Sequence, residues 1–452
     1  MVRAAVLATV ALAAAPAAAL DVGPVRISGE TRVRYESLQG QFRAGRSGGD
    51  QGVYLRTLVL AELDTGPVIF GAEIQDSRAY GTDSGSPLTA SLVNPADFLQ
   101  AYVRFSTPDP FSPEGKAELK LGRQTLDIGS RRIMERVEFA SVISHFTGAY
   151  WRTAQPGGHE IHALIVAPVS FRPLDRASLD DNRPQGDEEE WGRLIWGVHY
   201  RRADVAPKLL PGVWAEASLY GFRDEDRQGE PTPDRRFLQP NIRLFRAPAA
   251  NRRWSFETDL FYRTGTRRAT SAASDTRNLD LSAWKVHANL GYQFDAPWSP
   301  LIRLDWDYAS GDDDPSDGAF DQYERLLGSR RTDLGNTGIY GPFQYQNLNA
   351  PGGRIEVRPT PRLDARIAYK AAYLASARDA WAGAGVRDTS GRSGTFIGHA
   401  FDWRARYWLI RDRSRLEVGG ALLLRGDFAK SAPNAARNGD SVYGYAQVTT
   451  TF

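Results

Sequence analysis

The sequence of 452 residues contains no cysteine, two methionines, six histidines and only six lysines. Without thiols, neither a disulfide framework nor a thiolate metal centre can hold the fold together. The histidines stand at 145, 159, 162, 199, 287 and 399 without the spacing of a metal motif. His159 and His162, three apart on an extended segment, would face opposite sides. No nucleophile elbow and no phosphate-cradling glycine loop occurs, so no catalytic residue and no cofactor is indicated. A Ser–His pair assembled across strands would leave no such signature. An excess of one charge is missing too. The 56 basic and 54 acidic residues leave a net charge of +2, which excludes a generally basic nucleic-acid binder. Past the N-terminus no stretch approaches about 18 consecutive apolar residues, so no transmembrane helix is expected.

The N-terminus carries Arg3, an apolar stretch from Val6 to Ala15, and the small residues Ala17, Ala18 and Ala19. This reads as a secretory signal peptide over residues 1–19, leaving 20–452 as one unit that begins near Leu20. An exported chain with neither disulfides nor a membrane helix can still cross a bilayer as a closed barrel, where every strand is paired on both sides.

Period-two alternation supports that reading throughout. In 279–294, Trp284, Val286, Ala288, Leu290, Tyr292 and Phe294 share one face, opposite Lys285, His287, Asn289 and Gln293. Ile302, Leu304, Trp306 and Tyr308 likewise oppose Arg303, Asp305 and Asp307. Eighteen such segments are expected, near 25–36, 52–64, 67–77, 95–106, 116–128, 146–154, 159–169, 191–202, 212–224, 236–246, 252–264, 279–295, 299–310, 352–359, 362–377, 398–410, 413–427 and 441–452. Many run ten residues or more, enough to span a bilayer at a tilt, and aromatics such as Tyr35, Trp151, Trp298 and Trp408 sit near their ends. The expected fold is therefore all-β: an 18-stranded antiparallel transmembrane β-barrel with long extracellular loops and short periplasmic turns. Short connections such as 64–67, 155–158, 360–361 and 411–413 alternate with long polar ones such as 78–94, 170–190, 311–350 and 378–397. Residues 129–145 fit neither class, and a loop folding inward would accommodate them.

Three stretches carry a family resemblance. Leu119 to Arg132 contains Leu121-Gly122-Arg123-Gln124 and then Gly129 and Arg132. Phe146-Thr147-Gly148-Ala149-Tyr150-Trp151 opens the next strand, with Thr147 in place of an acid. Tyr323 to Ile339 is followed by Gly341-Pro342-Phe343, Asn347-Leu348 and Val357-Arg358-Pro359. In order and spacing these resemble the alginate export family of outer-membrane barrels. The resemblance implies a monomeric 18-stranded barrel with an arginine-rich lumen, whose founding members pass alginate, a linear polyuronate. On the same resemblance Arg123 points inward. Simple alternation instead puts it beside Leu119 and Leu121, a conflict that a bulge after Gly122 would resolve.

Strand parity selects the other lumen candidates: Arg32, Arg34, Arg56, Arg104 and Arg152 in the first half, then Arg303, Arg354, Arg366, Lys370, Arg404 and Arg406. So many cations could not face lipid, where each costs roughly 2–4 kcal/mol at the midplane. Arginine grips carboxylates bidentately, which suits a pore for polyanions. Inward acids, among them Glu30, Glu62, Glu257, Asp305, Asp364 and Asp402, leave a second reading open, in which arginines pair across strands and brace the wall. The acidic stretch at 312–318 offers Asp313, Asp317 and, further on, Glu324 as calcium ligands, although Pro315 interrupts the loop pattern.

The resulting expectation is a passive outer-membrane channel of a Gram-negative bacterium for an anionic oligo- or polysaccharide. Its expected partners are outer-membrane lipid, the saccharide and a periplasmic export or uptake partner. Alternatives are a general or small-anion porin, an outer-membrane barrel enzyme, and a secreted sugar-binding β protein.

Overall fold

Alternating side chains give each segment one greasy and one polar face, and the sheet they form has to close on itself to hide its edges. The computed structural model describes residues 20–83, 86–227 and 231–452. The expected signal peptide at 1–19 lies outside the described residues. The strands are β1 (Val25–Gln39), β2 (Gly49–Asp64), β3 (Val68–Tyr80), β4 (Asn94–Pro108), β5 (Lys116–Gln124), β6 (Phe146–Gln155), β7 (His159–Ser170), β8 (Arg193–Arg202) and β9 (Trp214–Asp224). They continue with β10 (Arg236–Arg246), β11 (Trp254–Arg267), β12 (Leu279–Gln293), β13 (Leu301–Ala309), β14 (Leu348–Thr360), β15 (Leu363–Tyr373), β16 (Phe396–Ile410), β17 (Ser414–Arg425) and β18 (Ser441–Thr451). Each pairs antiparallel with the next, and β1 pairs with β18 from Glu30↔Thr451 to Gln39↔Val442, closing an 18-stranded barrel. At the seam Gly29 N donates to Phe452 O (2.8 Å) and Phe452 N to Gly29 O (3.0 Å). A Cβ on Gly29 would lie 2.5 Å from the Phe452 ring, so this close approach requires glycine.

All eighteen expected segments are strands. Boundaries differ by up to four residues, for example at β5, which ends at Gln124 rather than at 128. There Thr125 N donates to the Gln100 side chain (3.1 Å), and the chain turns into the barrel. Alternation runs as read: Trp284 and Leu290 of β12 are exposed toward lipid, while Lys285 and His287 are buried inside. Among the described residues no helix is long and apolar enough to cross a membrane.

Long connections gather at one end of the barrel, the end that outer-membrane barrels present to the outside, and short ones at the other. Two long loops, 125–145 and 310–347, fold inward, as the ambiguous stretch 129–145 suggested for the first. The interior is correspondingly less open than a wet lumen bounded only by strands. Toward the long-loop end the inward positions are apolar, for example Leu38, Leu281, Ala283, Leu423 and Tyr443, and loop residues pack on them. Met134, Leu334, Ile339, Phe343 and Tyr345 are buried there, and Phe42 stacks on Trp381 (5.5 Å). Each such side chain contributes about 1.5–3 kcal/mol through burial.

Candidate functional site

Three of the expected lumen arginines form a continuous row on β1 and β2. Arg32 and Arg34 are two apart on β1, and Arg56 is the cross-strand partner of Arg32. All three are essentially fully buried, beneath the inward loop. Arg32 donates to the main-chain carbonyls of Glu138 (2.8 Å), Phe139 (3.1 Å) and Ala140 (2.9 Å). Arg34 donates to Phe139 O and to Ser141 Oγ (2.9 Å), and Arg56 to Ala140 O. Arg34 is also paired with Glu36 (2.7 Å), and Arg56 with Glu30.

The remaining candidates are paired with acids. Arg104 lies 3.5 Å from both Glu62 and Glu118, and Arg152 lies 2.9 Å from Glu160. Arg303 approaches Glu356, and Arg354 approaches both Asp305 (3.4 Å) and Glu356 (3.3 Å). Arg366 faces Asp402 (3.4 Å), Lys370 binds Asp307 (2.6 Å), and Arg404 and Arg406 share Asp364. The bracing reading thus describes the contacts of this group. Arg123 stands apart. The ladder runs in unbroken register through Gly122 to Gln124, so there is no bulge. Gly122 adopts φ +115° instead, where a Cβ would meet Ala101 O at 2.4 Å. The Arg123 guanidinium is tied to Glu189 (2.6 Å) and to Asp187 O (3.2 Å), near the long-loop end.

Open space lies on both sides of the inward loops. Toward the short-turn end, two adjoining cavities of about 200 and 570 Å3 share Glu30, Arg56, Arg131 and Glu138. The smaller is lined by seven arginines, including Arg366, Arg404, Arg406 and Arg415, against four glutamates. On the other side, a cavity of about 280 Å3 is lined by Arg34, Arg325, Arg330 and Arg331, with no acidic residue among the described residues of its wall. Outer and inner cavities meet at Val137, Phe139, Ser329 and Arg331. There the Phe139 ring is held between the guanidinium groups of Arg331 (3.8 Å) and Arg34 (4.1 Å). Arg331 also donates to Glu417 (2.8 Å) and to the Tyr445 hydroxyl (2.7 Å).

Sequence reasoning did not single out Arg331, or Arg132, which fastens the loops. Arg132 donates to Asp333 on the second loop (2.7 Å) and to Asp259 (2.9 Å) on β11, and also binds Glu257. Strand parity gave no signal for Arg132 or Arg331, because both lie in loops where no alternation sets direction.

Among the described residues, the one group whose ligand atoms converge as a metal site would is His287, Asp307 and Asp333. Its carboxylates are already engaged. Asp307 accepts from His287 (2.7 Å), Lys370 (2.6 Å) and the Tyr345 hydroxyl (2.8 Å), and Asp333 from Arg132 and Tyr345. This donor set makes a neutralised network that joins the second loop to the wall. Asp313, Asp317 and Glu324 are not brought together in this way. Glu324 is instead paired with Arg267 (2.6 Å) and Arg235 (3.5 Å), which take up the charge a cation would need.

The sequence matches the profile described as Alginate export over residues 24–442. The chain belongs to the alginate export family. Solved structures similar in fold include Pseudomonas aeruginosa OccK2 (OpdF) in complex with glucuronate, 13% identical over 95% of this chain and 96% of that one, with a TM-score of 0.57. Pseudomonas aeruginosa OccK9 (OpdG) is 11% identical over 95% and 98% of the two chains, with a TM-score of 0.60. A BenF-like porin from Pseudomonas fluorescens Pf-5 is 13% identical over 94% and 99%, with a TM-score of 0.59. No curated protein matches the sequence. Family and fold are those of outer-membrane, porin-like channels.

One titration in this alginate export family barrel lies outside the spanning strands. Asp187, on the long loop after β7, accepts from Arg172 N and from Asn94 Nδ2 (both 2.7 Å), and its second oxygen faces His145 Nε2 at 3.6 Å. Burial pushes its carboxyl up to about 7. A carboxyl raised above its unfolded value adds stability at low pH and loses it as pH rises through the folded pKa. The Asp187 contribution to the attachment of this loop is therefore lost between pH 4 and about 7, while His145, which burial pushes down to about 4, contributes in the opposite sense below pH 6.5. Amide exchange of residues 181–190 checks this: protection in the native chain should fall relative to that in Asp187→Asn, where His145 still titrates, as pH rises across that window.

Proposed function

We propose that this chain is a passive outer-membrane channel for an anionic oligo- or polysaccharide of the alginate class, drawn through an arginine-lined path. The observation that carries the reading is the sign of the space inside the barrel. Four arginines and no acid line the outer cavity among the described residues, seven arginines against four glutamates line the smaller inner one, and the larger inner one is balanced, with four basic and four acidic residues. A polyuronate presents one carboxylate per sugar, and guanidinium groups offer each a two-pronged grip. Several weak sites in series favour passage over trapping. The partial pairing of Arg366, Arg404 and Arg406 with Asp402 and Asp364 keeps each site weak. The glucuronate held by the fold relative OccK2 is a sugar acid of the same chemical class.

The test is conductance in planar bilayers with a salt gradient and added oligouronates. The expected result is anion preference and blockade by uronates but not by neutral sugars of equal length. The triple substitution Arg404→Gln, Arg406→Gln and Arg415→Gln should weaken that blockade by about tenfold or more, the equivalent of losing one charge-assisted contact of about 1.5–3 kcal/mol. Equal blockade by uronate and neutral sugar would reduce the reading to a general porin.

A further inference from the structure

We infer that the main-chain carbonyls of Glu138, Phe139 and Ala140 occupy an anion site on Arg32, Arg34 and Arg56, and that a solute carboxylate takes their place and releases this segment to open the path. The inference rests on the proposed passage of carboxylated sugars and adds the site and the movement.

The geometry is that of a covered row. Arg34 lines the outer cavity and Arg56 lines both inner ones, so the ends of the row each meet open space. Arg32, between them, is 1% exposed and is capped by the three carbonyls. Arg34 and Arg56 each have a glutamate partner, whereas Arg32 has no carboxylate partner among the described residues. Among those residues its Nε has no hydrogen-bond partner, nor does the Nε of Arg56. A buried guanidinium met only by neutral oxygens is poorly compensated. A carboxylate in the same position makes charge-assisted bonds roughly twice as strong as those to neutral acceptors. The exchange therefore favours an anion over the loop.

The segment is built to move as a short bridge. On one side Arg136 is paired with Glu73. On the other, Ser77 Oγ donates to Ser141 O (2.6 Å) and Ile143 N to Gln75 Oε1 (2.9 Å). Between these anchors, residues 138–140 meet the wall through the arginine row and the Phe139 ring. That ring lines both the outer cavity and the smaller inner one, so lifting the bridge joins them.

The chain has no cysteine, so Ala140→Cys introduces a single reporter thiol within the moving segment, partly buried in the closed arrangement. Its labelling by a charged methanethiosulfonate is followed in full-length protein in lipid vesicles, with trigalacturonate or maltotriose added. The expected result is about tenfold faster labelling with trigalacturonate, a one-decade rise in the open population, and no change with maltotriose. Adding Arg32→Gln should abolish the response while the heat-dependent gel shift reports an intact barrel. A rate that trigalacturonate leaves unchanged, or slows, overturns the inference. A second variant lacking residues 138–140 separates the two failures in planar bilayers. If it conducts with anion preference while the thiol ignores uronate, the displaceable bridge is wrong and the channel stands. If neither it nor the native chain conducts, the channel reading fails and takes the bridge with it.

Discussion

Arg132→Leu is expected to loosen both inward loops and to cost about 3–5 kcal/mol, the usual effect of removing one member of a buried charge network. Arg132 belongs to the first loop, and its guanidinium joins Asp333 of the second to Glu257 and Asp259 of β11. Leucine restores much of the bulk but leaves Asp259 and Asp333 buried with a missing counter-charge. The strand ladders are untouched, so the barrel itself should persist, with the heat-dependent gel shift retained. What should change is trypsin cleavage within 125–145 and 310–347 and the open-channel current, both rising. Adding Asp333→Asn, which removes one stranded charge, should recover part of the loss. Native-like trypsin resistance in Arg132→Leu would mean that apolar packing of Met134, Leu334 and Tyr345 suffices to hold the loops.

The second large effect is on the outer face. Leu304 lies near the middle of β13 and is 67% exposed, between Ile302 and Trp306 on the same side. Leu304→Arg is expected to destabilise the folded barrel by roughly 2–4 kcal/mol in a bilayer, because the cation must enter hydrocarbon. Its neighbour in sequence, Arg303, faces inward beside Glu356, so Arg303→Leu should cost far less and alter ion selectivity instead. Denaturant titration in lipid vesicles, followed by tryptophan fluorescence, distinguishes them. Equal stability of the two variants would contradict the assignment of faces.

The strands were legible because lipid on one side and protein or water on the other impose a period of two that survives without any long-range information. Lys285 against Trp284, and Arg303 against Leu304, are readable from sequence alone. The contacts of the lumen were not. Parity put Arg32, Arg34 and Arg56 on the inward face, but the acceptors that join all three to the loop are main-chain carbonyls, which any sequence supplies and none advertises. The bulge expected after Gly122 is absent, and Gly122 has a positive φ within an unbroken ladder. Arg132 and Arg331 lie in loops, where no periodicity tells direction. The hydrophobic fill of the long-loop half was hidden in short apolar runs within otherwise polar loops.

The seam between β1 and β18 has a consequence for biogenesis. Glu30 meets Thr451 across almost the whole length of the polypeptide, so the last weld waits until both ends have been delivered. Until then two unsatisfied strand edges coexist, each a template for mispairing with another copy. Gly29 narrows the tolerance further, since a side chain there would push the Phe452 ring away from its seat. A chaperone that shields those edges, or a membrane machine that brings them together, would act on a rate that no amount of stability in the finished cylinder can speed.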